Sequence, residues 1–202
     1  MLLNKNELEK NILVALPDLK KYWELLLIWQ KSVNLISSKT MENGWERHIL
    51  DSAQLYVFIS NQQHTLMDVG SGAGLPGIVI AILNKVLKGP LKKIVLVESD
   101  MKKTLFLKEC ARQLDLDIEV QRERIERVTF VPDVITARAF APLSELLELV
   151  KKNVSRETIL LLPKGKNVEE EIKMLEEKYE TEKLKNIINS EGCILKMKKG
   201  DL

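Results

Sequence analysis

The stretch DVGSGAGLPG, residues 68–77, decides how this chain folds. It follows a short apolar run, places four glycines within ten residues, and has Pro76 where a helix would start. Gly89 stands just past the end of that helix, and this pairing of proline and glycine is the usual punctuation of a helix. A glycine-rich loop between a strand and a helix forms the ligand crevice of a parallel sheet. The stretch therefore predicts a ligand site after the first strand.

From Thr65 onward, short apolar runs alternate with stretches of helical periodicity. The predicted strands cover residues 65–69, 93–98, 117–121, 133–138 and 158–163. The predicted helices cover residues 76–87, 100–114, 142–153 and 167–180. Strands that alternate with helices form βαβ units, so we expect an α/β fold with a mostly parallel sheet. Two strand-like pieces around residues 190–192 predict a C-terminal hairpin, which gives the sheet an antiparallel edge.

The N-terminal part of the chain has the periodicity of amphipathic helices. LKKYWELLLIWQKSVNLI (19–36) and WERHILDSAQLYVFI (45–59) each place apolar side chains on one broad face, and Asn43-Gly44 separates them. We therefore predict a helical cap over residues 1–63 and an α/β domain over residues 64–202.

Composition and charge limit the classes of function. Lys plus Arg number 31 and Asp plus Glu 29, a net charge of +2, so any nucleic-acid contact depends on local clustering in the fold. Early charges such as Lys5 and Glu7 interrupt any signal-peptide core, and no run reaches the roughly 18 apolar residues of a membrane span. We expect a cytoplasmic monomer without membrane contact. Cys110 and Cys193 lack metal-site spacing, so no metal is expected.

Two phosphate-binding interpretations of the glycine loop can be compared with its spacing. A Walker A loop is excluded because no Lys-Ser or Lys-Thr pair follows Gly77. Gly72, Gly74 and Gly77 match the dinucleotide fingerprint GxGxxG, although that register runs the preceding strand through Gly70. A nicotinamide-dependent oxidoreductase therefore stays open as an alternative.

A different register of the same loop favours a ligand without phosphate. Asp68, Gly70, Gly72 and Gly74 put an acid at the strand end, where it would repel a pyrophosphate but suit a cationic ligand. Glu98 ends the second strand, where an acid accepts hydrogen bonds from a ribose diol. A nucleoside, a positive charge and the absence of phosphate together point to S-adenosylmethionine as the ligand. The structural alternative is that Asp68 and Glu98 only cap helices and that the glycines only make a tight turn.

Five short segments then carry a family signature. They are RHILDS (47–52), DVGSGAGLPG (68–77), ES followed by KK (98–99 and 102–103), RIE (124–126) and ARAFAPL (137–143). In this order they resemble the bacterial small-subunit ribosomal RNA guanine-N7 methyltransferase G family, also called the glucose-inhibited division protein B family. The similarity covers about residues 25–165, and the stretch after about 166 is hard to match.

The resemblance implies a fold, a reaction and a set of cofactor contacts. It implies a Rossmann-like, S-adenosylmethionine-dependent methyltransferase that modifies guanine N7 in 16S rRNA, at nucleotide 527, on a small ribosomal subunit particle. The family contacts its cofactor at the positions of Gly70, Leu75, Ile125, Glu126 and Arg138, and the acid at Glu98 is expected to hold the ribose. With the loop residues Asp68, Gly72 and Gly74, these positions form the predicted cofactor site.

Several basic side chains are candidates for RNA contact. Arg47 and His48 suit RNA phosphates, with Asp51 orienting one of them from the same helix face. The equally open alternative is a surface pair that docks the cap onto the sheet. Lysines after strand ends can bind phosphate or simply be solvated. These lysines are Lys102, Lys103 and Lys164. Arg138 suits the cofactor, a phosphate or guanine O6, or else a salt bridge at the rim.

The chemistry needs little from side chains. Guanine N7 has a lone pair and no proton, so its attack needs no general base, and we expect no catalytic acid, base or nucleophile. Cys110 fits an apolar helix face rather than a nucleophile. Trp23, Trp29 and Trp45 are candidates to stack a base, although the first two fit a core. A ribosome assembly factor that binds but transfers nothing is the non-catalytic alternative.

Overall fold

The computed structural model describes residues 5–175 and 179–200. The strands are β1 Thr65–Val69, β2 Lys93–Val97, β3 Glu119–Gln121, β4 Val134–Thr136, β5 Ile159–Lys164, β6 Tyr179–Lys185 and β7 Cys193–Lys199. The α-helices are α1 Lys5–Gln30, α2 Asp51–Ala53, α3 Gly77–Leu87, α4 Met101–Leu114, α5 Leu143–Val150 and α6 Val168–Lys173. A π-helical turn at Trp45–Leu50 leads into α2, and a 3-10 turn at Gln54–Phe58 follows it. The predicted alternation of strands and helices after Thr65 is confirmed.

The strands in the described ranges form one seven-stranded sheet in the order β3-β2-β1-β4-β5-β7-β6. Strands β1 to β5 run parallel, β7 is antiparallel to β5, and β6 is antiparallel to β7. The mostly parallel sheet with an antiparallel C-terminal edge is therefore confirmed. Because β1 lies between β2 and β4, the order reverses at β1, and the loops after β1 and β4 leave the sheet side by side.

Alternating side chains of the central strands feed two hydrophobic cores. Leu66 and Leu96 belong to the core on the side of α1, α3 and α4, whereas Met67 and Val97 belong to the core on the side of α5 and α6. The near-continuous apolar runs of these strands follow from this double burial. The sheet is thus fixed from both faces, which gives the loops at its carboxyl end a rigid base.

Helix α1 packs on the same core as the sheet. Its buried side chains include Leu19, Tyr22 and Leu26, and they share one hydrophobic cluster with residues of α3, α4 and β1. The Tyr22 hydroxyl donates a 2.5 Å hydrogen bond to the carbonyl oxygen of Ala73 in the glycine loop. The predicted division into a cap over 1–63 and a domain over 64–202 stays a prediction, but the N-terminal helix touches the candidate site directly.

Some predicted boundaries were wrong near the C-terminus. The helix predicted over 167–180 ends at Lys173, residues 176–178 lie outside the described residues, and β6 begins at Tyr179 because the segment pairs with β7. The hairpin turn is longer than predicted, since β6 already ends at Lys185. There the Asn186 side chain accepts hydrogen bonds from the backbone N–H groups of Ile188 and Asn189, a local turn that competes with the sheet.

Candidate cofactor and RNA site

A cavity of about 1100 Å³ lies at the carboxyl ends of β1, β2 and β4, where the strand order reverses. The predicted site residues that line it are Arg47, His48, Gly70, Gly72, Leu75, Glu98, Lys103, Ile125, Glu126 and Arg138. Those it does not include are Asp68, Gly74, Lys102 and Lys164. The structure therefore brings together most of the predicted cofactor positions, together with part of the predicted RNA side.

Asp68 lies behind the glycine loop rather than in the cavity. Its carboxylate is fully buried and accepts hydrogen bonds from Ser71 Oγ at 2.5 Å, Thr136 Oγ1 at 2.8 Å and the Gly77 N–H at 3.1 Å. Burial raises the pKa of Asp68 to about 6, although these hydrogen bonds oppose the shift. The expectation that Asp68 meets a cationic ligand is therefore corrected: this acid ties the loop to β4 and α3.

Gly70 and Gly72 of the glycine loop line the cavity, and the ring of Phe140 packs on Gly70. Gly70 has a φ of +62°, and a Cβ built on it would lie 2.0 Å from the ring of Phe140. Gly74 has a φ of +83°, and its Cβ would lie 2.3 Å from Ile78 Cγ1, so its role is to let the loop pack on α3. Gly74 thus packs against α3, its cofactor contact stays a prediction, and Gly70 lines the cavity.

Glu98 holds the first turn of the loop and still offers acceptors. Its side chain is 8% exposed, and its oxygens accept hydrogen bonds from the N–H of Gly72 at 2.9 Å and of Asp100 at 2.8 Å. Each carboxylate oxygen has a second lone pair, so both oxygens can accept from a ribose diol as well. Ile125 and Glu126 line the same cavity from a 3-10 turn, and Ile125 is buried. These groups fit a nucleoside.

Arg138 fixes the protonation state of His48. One guanidinium nitrogen donates to the carbonyl oxygen of Arg47 at 2.9 Å, and another donates to Nδ1 of His48 at 2.8 Å. A guanidinium only donates, so Nδ1 must accept and carry no proton. Nε2 then donates to Thr40 Oγ1 at 2.9 Å, since the Thr40 hydroxyl donates its own hydrogen to Ser37. The imidazole is therefore neutral.

The electrostatics of His48 agree with this geometry. Burial and, to a smaller extent, the positive charges of Arg138 and Arg47 together lower the pKa of His48 to about 4. A neutral, internally bonded imidazole does not attract RNA phosphate by charge. The prediction of His48 as a phosphate anchor is therefore corrected, and Arg47, which is exposed, keeps that possibility.

Asp51 belongs to a buried polar network that the sequence did not reveal. It pairs with Arg138 at 3.6 Å instead of orienting His48 or Arg47. The same carboxylate accepts hydrogen bonds from Gln54 Nε2 and Asn186 Nδ2, each at 2.8 Å. Gln54 is a polar residue on an apolar helix face, and this position could have indicated a buried polar contact from the sequence. Asn186 lies in the C-terminal stretch that is hard to match to the family, and no sequence pattern there pointed to it. The network joins the RHILDS segment, the end of β4 and the C-terminal hairpin.

The predicted lysines have different surroundings. Lys164 is largely buried, and its ammonium group pairs with Glu171 at 2.7 Å, so its charge is already balanced; it lines a smaller neighbouring cavity. Lys103 lines the main cavity, whereas Lys102 is exposed outside it. Lys103 is therefore the predicted lysine best placed to meet a ligand.

Cys110 belongs to the hydrophobic core on the side of α1 and does not line the cavity. Cys110 is buried in the core as predicted, and burial raises the pKa of its thiol. In the described part of the chain, no group of three or more His, Cys, Asp or Glu side chains is arranged to hold a metal ion. Across the same residues, none of the helices combines the length and the apolar character of a membrane span.

The shifted titration of His48 gives a testable pH dependence of stability. Because its folded-state pKa is about 4 and its ordinary value is 6.5, the unfolded chain binds more protons between these values. This contribution to stability is present above pH 6.5 and is lost as the pH falls toward 4. It amounts to about 3 kcal/mol at most. We expect His48→Asn, which keeps an acceptor near Arg138, to remove this part of the loss of stability at acid pH. Denaturant titrations at a series of pH values measure the free energy of unfolding.

The exposed His64 supplies the control for this measurement. His64→Asn should lose as much free energy of unfolding between pH 6.5 and 4 as the wild-type protein does. If His48→Asn lost as much stability at acid pH as the wild-type protein, His48 would not be held neutral by its surroundings.

Comparisons with known proteins identify the relatives of this chain. A family model described as rRNA small subunit methyltransferase G matches residues 15–193. The ribosomal RNA small subunit methyltransferase G of Jannaschia sp. is 38% identical over 187 residues, covering 91% of this chain and 88% of that protein. The protein of the same name from Dinoroseobacter shibae is 43% identical over 157 residues, covering 77% of this chain and 80% of its own.

Solved structures show the same architecture. Ribosomal protein L11 methylase from Lactobacillus delbrueckii subsp. bulgaricus superimposes with a TM-score of 0.60 at 15% identity, over 77% of this chain and 79% of that one. The Rossmann-like fold, the methyltransferase class and the S-adenosylmethionine cofactor are thereby confirmed, and the oxidoreductase alternative is not favoured. The chain belongs to the rRNA small subunit methyltransferase G family.

Proposed function

We propose that this protein transfers a methyl group to N7 of one guanine of 16S rRNA, nucleotide 527, within a small-subunit particle. The observation that carries the proposal is the cavity itself. It joins a bare glycine loop and the acceptor Glu98, which suit a nucleoside, to a mouth that bears Arg47 and Lys103, which suit RNA. Family membership supports the same substrate class.

Within this proposal, the loop and its neighbours hold the cofactor. The backbone at Gly70 and Gly72 would let the ligand approach closely, Glu98 would accept from the ribose hydroxyls, and Leu75 and Ile125 would supply apolar surface. S-adenosylmethionine supplies a methyl group on a positively charged sulfur. Asp68 would act from behind, because it keeps the loop in the shape that this cradle needs.

The protein's contribution to the reaction would be positioning. N7 carries the lone pair that attacks, so no side chain has to remove a proton first. Correct alignment of two reactants can contribute about 7–11 kcal/mol in favourable intramolecular cases. Arg138 has guanidinium N–H groups beyond those bonded to Arg47 and His48, and these suit a carboxylate or guanine O6. The buried network around Asp51 would keep that guanidinium in place.

Arg47 is the proposed RNA contact at the mouth, because it is exposed and contributes its backbone carbonyl oxygen to the hydrogen bond with Arg138. We expect Arg47→Gln to raise the KM for the particle about 3- to 10-fold, to leave cofactor affinity unchanged, and to reduce the slope of log affinity against log salt by about 1. Particle binding measured across a salt series checks this. Lys108→Gln, a loss of charge on the exposed face of α4, is the matched control. An unchanged salt slope in Arg47→Gln would place the RNA elsewhere.

The deciding experiment uses labelled S-adenosylmethionine with unmethylated small subunits, beside naked 16S rRNA, and identifies the product by mass. We expect 7-methylguanosine at a single site, and more of it on the particle. Cofactor binding without any transfer would instead favour the assembly-factor alternative. A cytoplasmic location and a monomeric state are further parts of the proposal, and sedimentation of the purified protein tests the second.

A further inference from the structure

Phe140 is a large aromatic side chain that stands at the cavity without being buried. It lies just after β4, lines the cavity, and is 38% exposed. Its ring edge rests directly on Gly70, since a Cβ there would lie 2.0 Å from Phe140 Cδ2. An apolar ring is therefore held beside the glycine loop with part of its surface open to solvent and to the cavity.

The backbone around Phe140 is held at both ends. Ala139 adopts the left-handed conformation with a φ of +51°, which is unfavourable for a residue with a Cβ. Before it, Arg138 is bonded to Arg47 and His48, and after it the N–H of Leu143 donates to Glu171 at 2.9 Å. The segment is thus fixed in a backbone conformation that is unfavourable at Ala139, and this conformation holds the Phe140 ring at the cavity.

The tryptophans that the sequence offered for base stacking are used elsewhere. The rings of Trp23 and Trp45 pack edge to face at 6.4 Å, and the ring of Trp29 packs against Phe106 at 5.7 Å. All three lie against the core on the side of α1. Among the described residues that line the cavity, Phe140 is the single Phe, Tyr or Trp.

We infer that the exposed face of Phe140 is the surface on which the target guanine stacks for methyl transfer. This inference rests on the proposed function and deepens it. The N7 lone pair lies in the plane of the base, so the base plane must be fixed before N7 can point at the methyl group. Stacking on an aromatic ring fixes that plane, and the position of Phe140 against Gly70 puts the base next to the cofactor loop.

The electron balance of the step favours an aromatic face here. The N7 lone pair forms the new N–C bond while the C–S bond breaks, and the pair from that bond returns to sulfur. The positive charge therefore moves from the sulfonium to the guanine ring. A phenyl face stabilises a cationic ring stacked on it, so Phe140 would favour the charge distribution that develops during transfer.

Two substitutions separate stacking from simple space filling. Phe140→Leu keeps apolar bulk over Gly70 but loses the ring face, whereas Phe140→Tyr keeps the ring. We expect the single-turnover rate of methyl transfer on saturating particle to fall about 10- to 100-fold in Phe140→Leu and to stay within about threefold of wild type in Phe140→Tyr. Binding of S-adenosylhomocysteine by calorimetry should be unchanged in both. An unchanged rate in Phe140→Leu, or lost cofactor binding, would overturn the inference.

A photocrosslink provides a readout that does not depend on activity. With p-benzoylphenylalanine in place of Phe140, irradiation of the particle complex should crosslink the nucleotide that the wild-type protein methylates. The same probe in place of Leu105, which is exposed on α4 outside the cavity, is the control. If the wild-type protein transfers no methyl group, the proposed function fails and the inference fails with it. If the wild-type protein methylates the particle but the probe at position 140 crosslinks no nucleotide or a different one, the inference alone is overturned.

Discussion

Replacing Gly70 with valine is expected to abolish S-adenosylmethionine binding, with a loss of affinity of about 100-fold or more. The residue has a φ of +62°, which a β-branched side chain adopts at a high energetic cost. The new Cβ would also lie 2.0 Å from the ring of Phe140, so the ring or the loop must move. Because valine also cannot adopt the φ of Gly70 without strain, the loop itself must shift, and this shift changes the surface on which the cofactor rests. Calorimetric titration with S-adenosylhomocysteine measures the effect.

Gly165 supplies the matched control for this substitution. It follows β5, and a Cβ built on it meets no atom within 4 Å. Gly165→Ala should therefore bind cofactor as the wild-type protein does. Circular dichroism would establish that the Gly70→Val protein is folded. A folded Gly70→Val protein with wild-type affinity would refute the location of the cofactor at this loop.

Replacing Arg138 with methionine is expected to destroy methyl transfer and to lower the free energy of unfolding by about 3–5 kcal/mol. The guanidinium is largely buried, and its loss leaves the Asp51 carboxylate without its cation and Nδ1 of His48 without its donor. Methionine keeps the length and the apolar bulk of the side chain, so packing changes little. Denaturant unfolding and methyl transfer to small subunits measure the two effects.

The pKa of His48 gives this substitution a signature that a general loss of stability would not produce. Arg138 is one of the causes that lower this pKa to about 4, so in Arg138→Met it should rise toward the ordinary value of 6.5. An NMR titration of the imidazole detects the change. Asp51→Asn in the same background should recover part of the lost stability, because it removes the unpaired charge. An unshifted His48 would contradict the hydrogen-bonding scheme.

The parallel sheet, and the edge of it at which the cavity lies, were predicted from the sequence alone. Alternating strand and helix patterns after Thr65 were sufficient for the parallel sheet, because these patterns are local and each element buries a recognisable face. The glycine loop and Glu98 at the end of β2 located the cavity, since the carboxyl ends of neighbouring parallel strands lie at one edge. The end of the helix that begins at Val168 was predicted wrongly, because pairing of β6 with β7 outweighed the helical periodicity of that stretch.

The tertiary structure decided what each side chain does at that site. His48 is neutral because Arg138, 90 residues away in the chain, donates to it, and Asp51 is held by Asn186, 135 residues away. Asp68 lies behind the loop and Phe140 stands open to the cavity. Charge state, hydrogen-bond partners and exposure depend on neighbours that are distant in sequence, so no local pattern records them. The physical reason is that local periodicity specifies which face of an element is buried, whereas protonation and contact are set by the atoms that folding brings together.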